Sequence, residues 1–369
     1  MSVVLFYSPF NQRSRDTESL MLAFRRQGHR VISLSQQAGS EIHDLLENHG
    51  IETHSFIPES TNAWVRHLRH LIFLIRFCRT NGVDVVYSHL EAANFIASMA
   101  QFFMPATVYI CRHHTDQYQL LGFDKDISYK LTYQFARNII VFSEASRKYM
   151  IENEGIQASR IRKINLAYDF SLYPAPDAQS IDGISKKNPA EILLITVGSL
   201  YPLKRPDESL RVLKALVDRQ YNARLILLGK GDLNSELKSL SRELGLEDRL
   251  LFAGYVNNVL DYLAASSFVL HPSVSESSCV AIKEAGLVKK PVIVCQGVGD
   301  FDDYVIHGVN GFLVDPDKYV EESVAIIEQY NRDNVGLGKI GAGLREAVIR
   351  HFDIKNVIDQ YNSLNQSVS

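Results

Sequence analysis

Two doubly wound α/β halves are predicted from three observations on this chain of 369 residues. Short apolar runs alternate with amphipathic segments, the pattern of buried strands and the helices that cover them. The alternation breaks once, at "SLYPAPDAQSIDGISKKNPAE" (171–191), where Pro, Gly, Ser and charge accumulate without periodicity. Beyond the break the pattern restarts. Strands alternating with helices build a parallel sheet covered on both faces, and a chain of this length exceeds one ordinary core. The expected division is a first domain at 1–172, a linker at 173–190, a second domain at 191–350, and a helix in 351–369 that packs back on the first domain.

The first half carries five strand-like runs in order: "VVLFY", "VISLS", "DVVYS", "TVYIC" and "NIIVFS". The second carries "ILLITVG", "RLILLG", "RLLFAG", "SFVLHPS" and "PVIVC", with helical patterns between them at 206–219 and 233–245. Two such halves on one linker predict a cleft between the carboxyl ends of two sheets, where ligands of doubly wound folds bind.

Composition narrows the class. Hydrophobic residues make up 46% and charged residues 22%, as in globular proteins, and a net charge of −3 gives no footprint for nucleic acid. Cys78, Cys111, Cys279 and Cys295 show no paired spacing, which fits reduced thiols rather than a disulfide framework. The opening "MSVVLFYSPFNQ" reads as a core strand and not as a leader, and no run reaches the roughly 18–20 apolar residues of a membrane span. The expected location is cytoplasmic.

The chemistry concentrates in the second half. "VGSLYPLKRPDESL" (197–210) runs from a strand through a glycine turn into a helix whose first turn holds Pro206, Asp207 and Glu208. Lys204 and Arg205 precede that helix, so the segment is either a pyrophosphate site or an ordinary loop with surface cations. Gly229 and Gly231, in "LLGKGDL", let backbone approach a ligand or make a tight turn. Tyr255 follows the next strand and joins them as a candidate donor contact.

"SVSESSCVAIKEAG" (273–286) sets Glu276 in a loop and Glu284 on a helix capped by Gly286. Eight helical positions span about 12 Å. A retaining hydrolase needs carboxyl groups about 5 Å apart and an inverting one at most about 9.5 Å, so an acid–nucleophile pair is a poor fit. Separate duties fit better: one carboxylate for ribose hydroxyls, one for a sugar. The amides of Ser277, Ser278, Cys279 and Val280, opening the helix, suit a phosphate.

With these residues in place, "HPSVSESSCVAIKEAGLVKKPVIV" resembles the signature of the family-four retaining glycosyltransferases. "VGSLYPLKRPD", "IHGVNGFLVDP" (306–316), "FSEASRKYM" and "IRKINLAYDFSLY" are similar to further segments of that family, in the family's order along nearly the whole chain. The resemblance implies a GT-B fold, two Rossmann-like domains facing across a cleft. It also implies transfer of a sugar from a nucleotide sugar with retained configuration and with no metal or cofactor; the residues do not reveal the base or the sugar, and a UDP-sugar is favoured over a GDP-sugar as the donor. Carried over, Lys204 holds the diphosphate, Glu284 the ribose and Glu276 the sugar hydroxyls, while Gly198 lets the loop approach. Two departures stand out. Ser199 replaces the family's arginine, leaving Arg205 to compensate, and "ESSC" replaces "EGFG".

The first half supplies the acceptor candidates. "YICRHHTDQY" (109–118) ends a strand with Arg112, His113 and His114, and His113 matches the family's histidine near the reacting sugar. His89 ends the strand before it. Asn11, Gln12 and Arg13 occupy the first strand's loop, where the family has twin glycines. The expected acceptor is a glycan or a lipid-linked sugar. "WVRHLRHLIFLIRFCRTNG" (64–82) is basic and amphipathic, able either to rest on an anionic membrane or to pack as an ordinary helix. His67 and His70 share its face without a third ligand, and "DFDD" (300–303) is too short a pattern to indicate a metal. Competing functions are a GT-B epimerase or phosphorylase, or a non-catalytic sugar-nucleotide sensor.

Overall fold

The computed structural model describes residues 1–10, 13–39, 41–116 and 127–366. Asn11 and Gln12 lie outside the described residues. The chain divides into two compact units, Met1–Phe170 with Phe352–Ser369, and Ser171–His351.

The first unit is built on a seven-stranded sheet: β1 (Val3–Ser8), β2 (Arg30–Ser35), β3 (Glu52–Ser55), β4 (Val85–His89), β5 (Thr107–Arg112), β6 (Asn138–Val141) and β7 (Ile161–Lys163), ordered 3-2-1-4-5-6-7. Every pairing is parallel. β4 is buried at all five positions, as a strand covered on both faces must be. On one face the Tyr87 ring lies 5.5 Å from Phe6, 5.3 Å from Tyr109 and 5.6 Å from Tyr361. Tyr361 belongs to the helix Ile354–Gln366, which packs beside the helix Arg15–Arg26.

The second unit holds β8 (Ile192–Val197), β9 (Ala223–Leu228), β10 (Leu250–Gly254), β11 (Phe268–His271), β12 (Val292–Cys295) and β13 (Phe312–Val314), ordered 10-9-8-11-12-13 and again all parallel. The order reverses between β8 and β11 in this unit and between β1 and β4 in the first. These are the switch points beside which such sheets bind ligands, outside the strands' carboxyl ends.

All ten expected strands form. β3, β7 and β13 were not expected; they have three or four residues each, and two of them close the edges of the first sheet. The segment read as a linker, 173–190, contains the helix Ala178–Lys187, started by Asp177, whose carboxylate accepts the Ser180 N–H at 2.8 Å. It packs against the helix Val259–Ala265. Gly286 is not a C-cap: the helix runs Val280–Leu287. A Cβ at position 286 would meet Val348 Cγ2 at 2.7 Å, so glycine serves helix packing there.

Candidate active site

In the second unit three strand-end loops converge. Gly198, after β8, has φ 153° and its N–H bonds Leu228 O at 2.9 Å. Gly229, after β9, has φ 138°, and a Cβ there would strike the Gly198 carbonyl oxygen. A Cβ on Gly231 would likewise strike the Leu200 carbonyl. Both glycines are therefore explained by loop-on-loop packing, and the close approach is to backbone.

The β11 loop is stitched to the β8 loop by Val274 N–H on Leu203 O at 3.0 Å and Ser273 Oγ on the same oxygen at 3.2 Å. This brings Lys204 onto Glu276, with Nζ donating to Oε1 at 2.5 Å. His271, the last residue of β11, places Nε2 2.7 Å from the same oxygen. The His271 and Glu276 side chains are 4% and 8% exposed, and Lys204 is 30% exposed. Burial opposes charge on Glu276, yet His271 and Lys204 outweigh it and hold its pKa at about 2. Burial likewise opposes charge on His271, and Cys279 and Glu276 outweigh it, raising its pKa to about 9. Lys204 is held above its ordinary value against burial by Glu276 and Cys279. The site is a buried carboxylate clamped between two cations.

Cys279 is the N-cap of the helix Val280–Leu287 and makes no side-chain cap, so the first amides of that helix open into the loop. Ser277 is buried, and its hydroxyl has no hydrogen-bond partner among the described residues. Ser278 Oγ and Lys283 Nζ both donate to Asp300 Oδ2 at 2.6 Å, deep in the unit. A Cβ on Gly299 would sit 2.7 Å from Glu276 Cβ, so the loop after β12 backs that glutamate directly. Glu284 is buried on the same helix. Ser199 and Tyr255 are exposed.

Arg205 does not fill the place of the missing arginine. Its guanidinium donates to Pro316 O at 2.8 Å and to Glu208 at 2.7 Å, which ties the helix start to the far edge of the sheet. The "DFDD" carboxylates are structural as well: Asp300 is wholly buried on Lys283, and Asp302 accepts the Gly297 N–H at 2.7 Å.

The first unit has its own cavity, about 220 Å³, at the carboxyl ends of its central strands. Phe6, Ser8, Arg13, Thr17, His89 and His113 are among its lining residues. His89 Nδ1 and His113 Nε2 are 2.8 Å apart, a bond that needs one N–H and one lone pair. Burial depresses both pKa values, so the pair is neutral. Arg13 is neutralised by Glu18 through contacts of 2.6 and 2.8 Å.

Arg112 and His114 turn away from that cavity. Arg112 is fully buried, bidentate on Glu154 at 2.6 and 2.9 Å, and it also donates to the carbonyls of His114 and Thr115. His114 Nε2 contacts Glu91 at 2.8 Å, and Tyr133 donates to the same oxygen. Their acceptor-binding assignment is corrected to a scaffold role: they fix the strand end that carries His113.

His271 was absent from the candidates. Its sequence signal was a histidine closing an apolar strand five residues before a glutamate.

The model described as Glycosyltransferase Family 4 matches residues 14–172, and the model described as Glycosyl transferases group 1 matches residues 177–347. A Campylobacter jejuni N-acetylgalactosamine-N,N'-diacetylbacillosaminyl-diphospho-undecaprenol 4-alpha-N-acetylgalactosaminyltransferase is 26% identical over 60% of this chain and 59% of its own length. An Escherichia coli UDP-Gal:alpha-D-GlcNAc-diphosphoundecaprenol alpha-1,3-galactosyltransferase is 22% identical over 81% and 79%. The chain spans about half the length of the first curated relatives it matches, 59% and 46%. Among solved structures, Anabaena HepE in complex with UDP-glucose superposes with a TM-score of 0.82 at 22% identity over all of both chains, which shows the fold to be GT-B.

Proposed function

The chain belongs to glycosyltransferase family four, and from that premise we propose that it moves a sugar from a UDP-linked donor to a lipid-linked glycan with retained configuration. The observation that carries the reading is the Lys204–Glu276–His271 cluster beside the opening amides of the helix Val280–Leu287. Breaking the bond between the anomeric carbon and the β-phosphate oxygen leaves negative charge on the diphosphate. Lys204 and the 277–280 amides lie on two loops stitched together in advance, so they meet that charge without reorganising. Glu276 takes the sugar hydroxyls and Glu284 the ribose. The acceptor oxygen bonds to the anomeric carbon from the leaving-group face, and its proton passes to the departing phosphate. No metal enters the scheme.

The choice of donor and acceptor is supported by the names of relatives that use UDP-Gal or act on diphospho-undecaprenol-linked sugars. The first-unit cavity, with His113 and His89, is the proposed acceptor seat. No helix among the described residues is long and apolar enough to cross a membrane. Peripheral contact is proposed through the helix Ala63–Asn81, where Trp64, Leu68 and Ile72 are exposed at four-residue intervals among exposed Arg69 and Arg76.

A thermal-shift panel of nucleotide sugars tests the donor half. At 100 times its dissociation constant a ligand stabilises by about 2.7 kcal/mol. Slow donor hydrolysis lost in Lys204→Ala supports a transferase. Binding with no turnover on any polyprenyl-diphosphate sugar contradicts it and favours a sensor.

A further inference from the structure

We propose that His271, Glu276 and Cys279 form a binding site for a thiophilic divalent cation of the zinc class, and that filling it closes the donor site. His271 Nε2, a Glu276 carboxylate oxygen and Cys279 Sγ all lie within 4.8 Å of one another. Imidazole, carboxylate and thiolate are the ordinary zinc donors, with bonds of about 2.0–2.3 Å that place tetrahedral ligand atoms roughly 3.3–3.7 Å apart. His271 and Glu276 already approach to 2.7 Å, so an ion entering between them needs side-chain adjustments of about an ångström rather than a new fold.

The three ligands fall within nine consecutive residues, on a strand end, a loop and a helix N-cap, each fixed from behind. Phe301 meets the His271 ring edge-on at 5.6 Å, Gly299 backs Glu276, and Ser278 beside Cys279 is held by Asp300. With three protein ligands the fourth position is left for water, the pattern of an accessible rather than a closed site.

The thiol is what makes the set. Cys279 supplies the sulfur that His271 and Glu276 alone lack, and with it the three carry the ordinary zinc donor set. On binding, the Cys279 S–H bond and the His271 Nε2–H bond both break, the two protons leave to solvent, and the sulfur and the ring nitrogen bond the metal. The hydrogen bond between His271 and Glu276 is exchanged for two metal bonds, and Lys204 loses its carboxylate partner. No oxidant or reductant is involved. The inhibitory consequence rests on the proposed function, because Glu276 and Lys204 are then the donor's ligands; the metal site itself does not.

The test is a titration of the purified, metal-free 369-residue chain with cobalt(II), read by the thiolate-to-cobalt charge-transfer band and the tetrahedral ligand-field bands. One equivalent should develop both, and zinc should abolish them. Cys279→Ser should lose the charge-transfer band, and His271→Gln should weaken binding. Cys295→Ser, at a buried thiol on β12 that is outside the ligand set, should keep the band. Unfolding curves of each variant separate ligand loss from misfolding. A wild type without a charge-transfer band, or a band that survives in folded Cys279→Ser, overturns the proposal. A separate arm adds UDP-glucose: competition with cobalt is expected, and a charge-transfer band that UDP-glucose leaves unmoved refutes the inhibitory link while sparing the metal site.

Discussion

Replacing Glu276 by alanine removes the one acceptor on which Lys204 and His271 both converge, at 2.5 and 2.7 Å. Water cannot repair the loss well, because His271 is 4% exposed. Burial raises the Glu276 pKa and the two partners pull it down further, so it falls from 4.5 to about 2. At 1.36 kcal/mol per pH unit that fall is on the order of 3 kcal/mol. It agrees with the roughly 3–5 kcal/mol lost when one member of a buried pair is deleted. For a unit the size of Ser171–His351, the loss translates to a Tm drop of about 6–12 °C. The sign with pH follows from both groups. The contribution of Glu276 is complete above its ordinary 4.5 and is lost as pH falls through about 2. That of His271, raised from 6.5 to about 9, is complete below 6.5 and is lost as pH rises through about 9. Calorimetric melts of wild type and Glu276→Ala should therefore differ fully at pH 6, and the gap should narrow without closing as pH rises through about 9, because Lys204 still pairs with Glu276 there. Coincident melts at pH 6, or a gap that widens with pH, would refute the clamp.

Three further outcomes follow. Arg112→Ala removes the bidentate partner of Glu154 and the donor to two carbonyls, and urea unfolding should show the first unit destabilised by about 3–5 kcal/mol. Gly229→Ala forces a Cβ onto the Gly198 carbonyl at a φ of 138°; it should cost at least about 1–3 kcal/mol and weaken donor binding, measured by thermal shift with UDP-glucose. Joint Trp64→Ser, Leu68→Ser and Ile72→Ser should abolish flotation with anionic vesicles while leaving the melting curve unchanged, since these side chains are exposed; retained flotation would remove the membrane face.

The fold was legible because strands buried on both faces must be continuous apolar runs, and ten of the thirteen announced themselves that way. β3, "ETHS", is a polar edge with mostly exposed side chains, and it forms only because β2 offers it hydrogen bonds. The helix Ala178–Lys187 hid inside a stretch whose Pro, Gly and Ser content signals a linker, and its packing partner lies some eighty residues on. Within the site, composition and spacing marked Lys204 and Glu276. The Arg205 contacts were out of reach, since Pro316 approaches only through sheet order. Arg112 misled for a related reason: a strand-end arginine next to a candidate histidine gives no sign that Glu154, forty-two residues later, neutralises it.

The account depends most on where the donor's negative charge settles in the second unit. Calorimetric titration of UDP into wild type and Lys204→Ala tests it directly. A charge-assisted hydrogen bond contributes about 1.5–3 kcal/mol, so Kd should rise about 13- to 160-fold in the variant. An unchanged Kd in a folded Lys204→Ala protein would contradict the account.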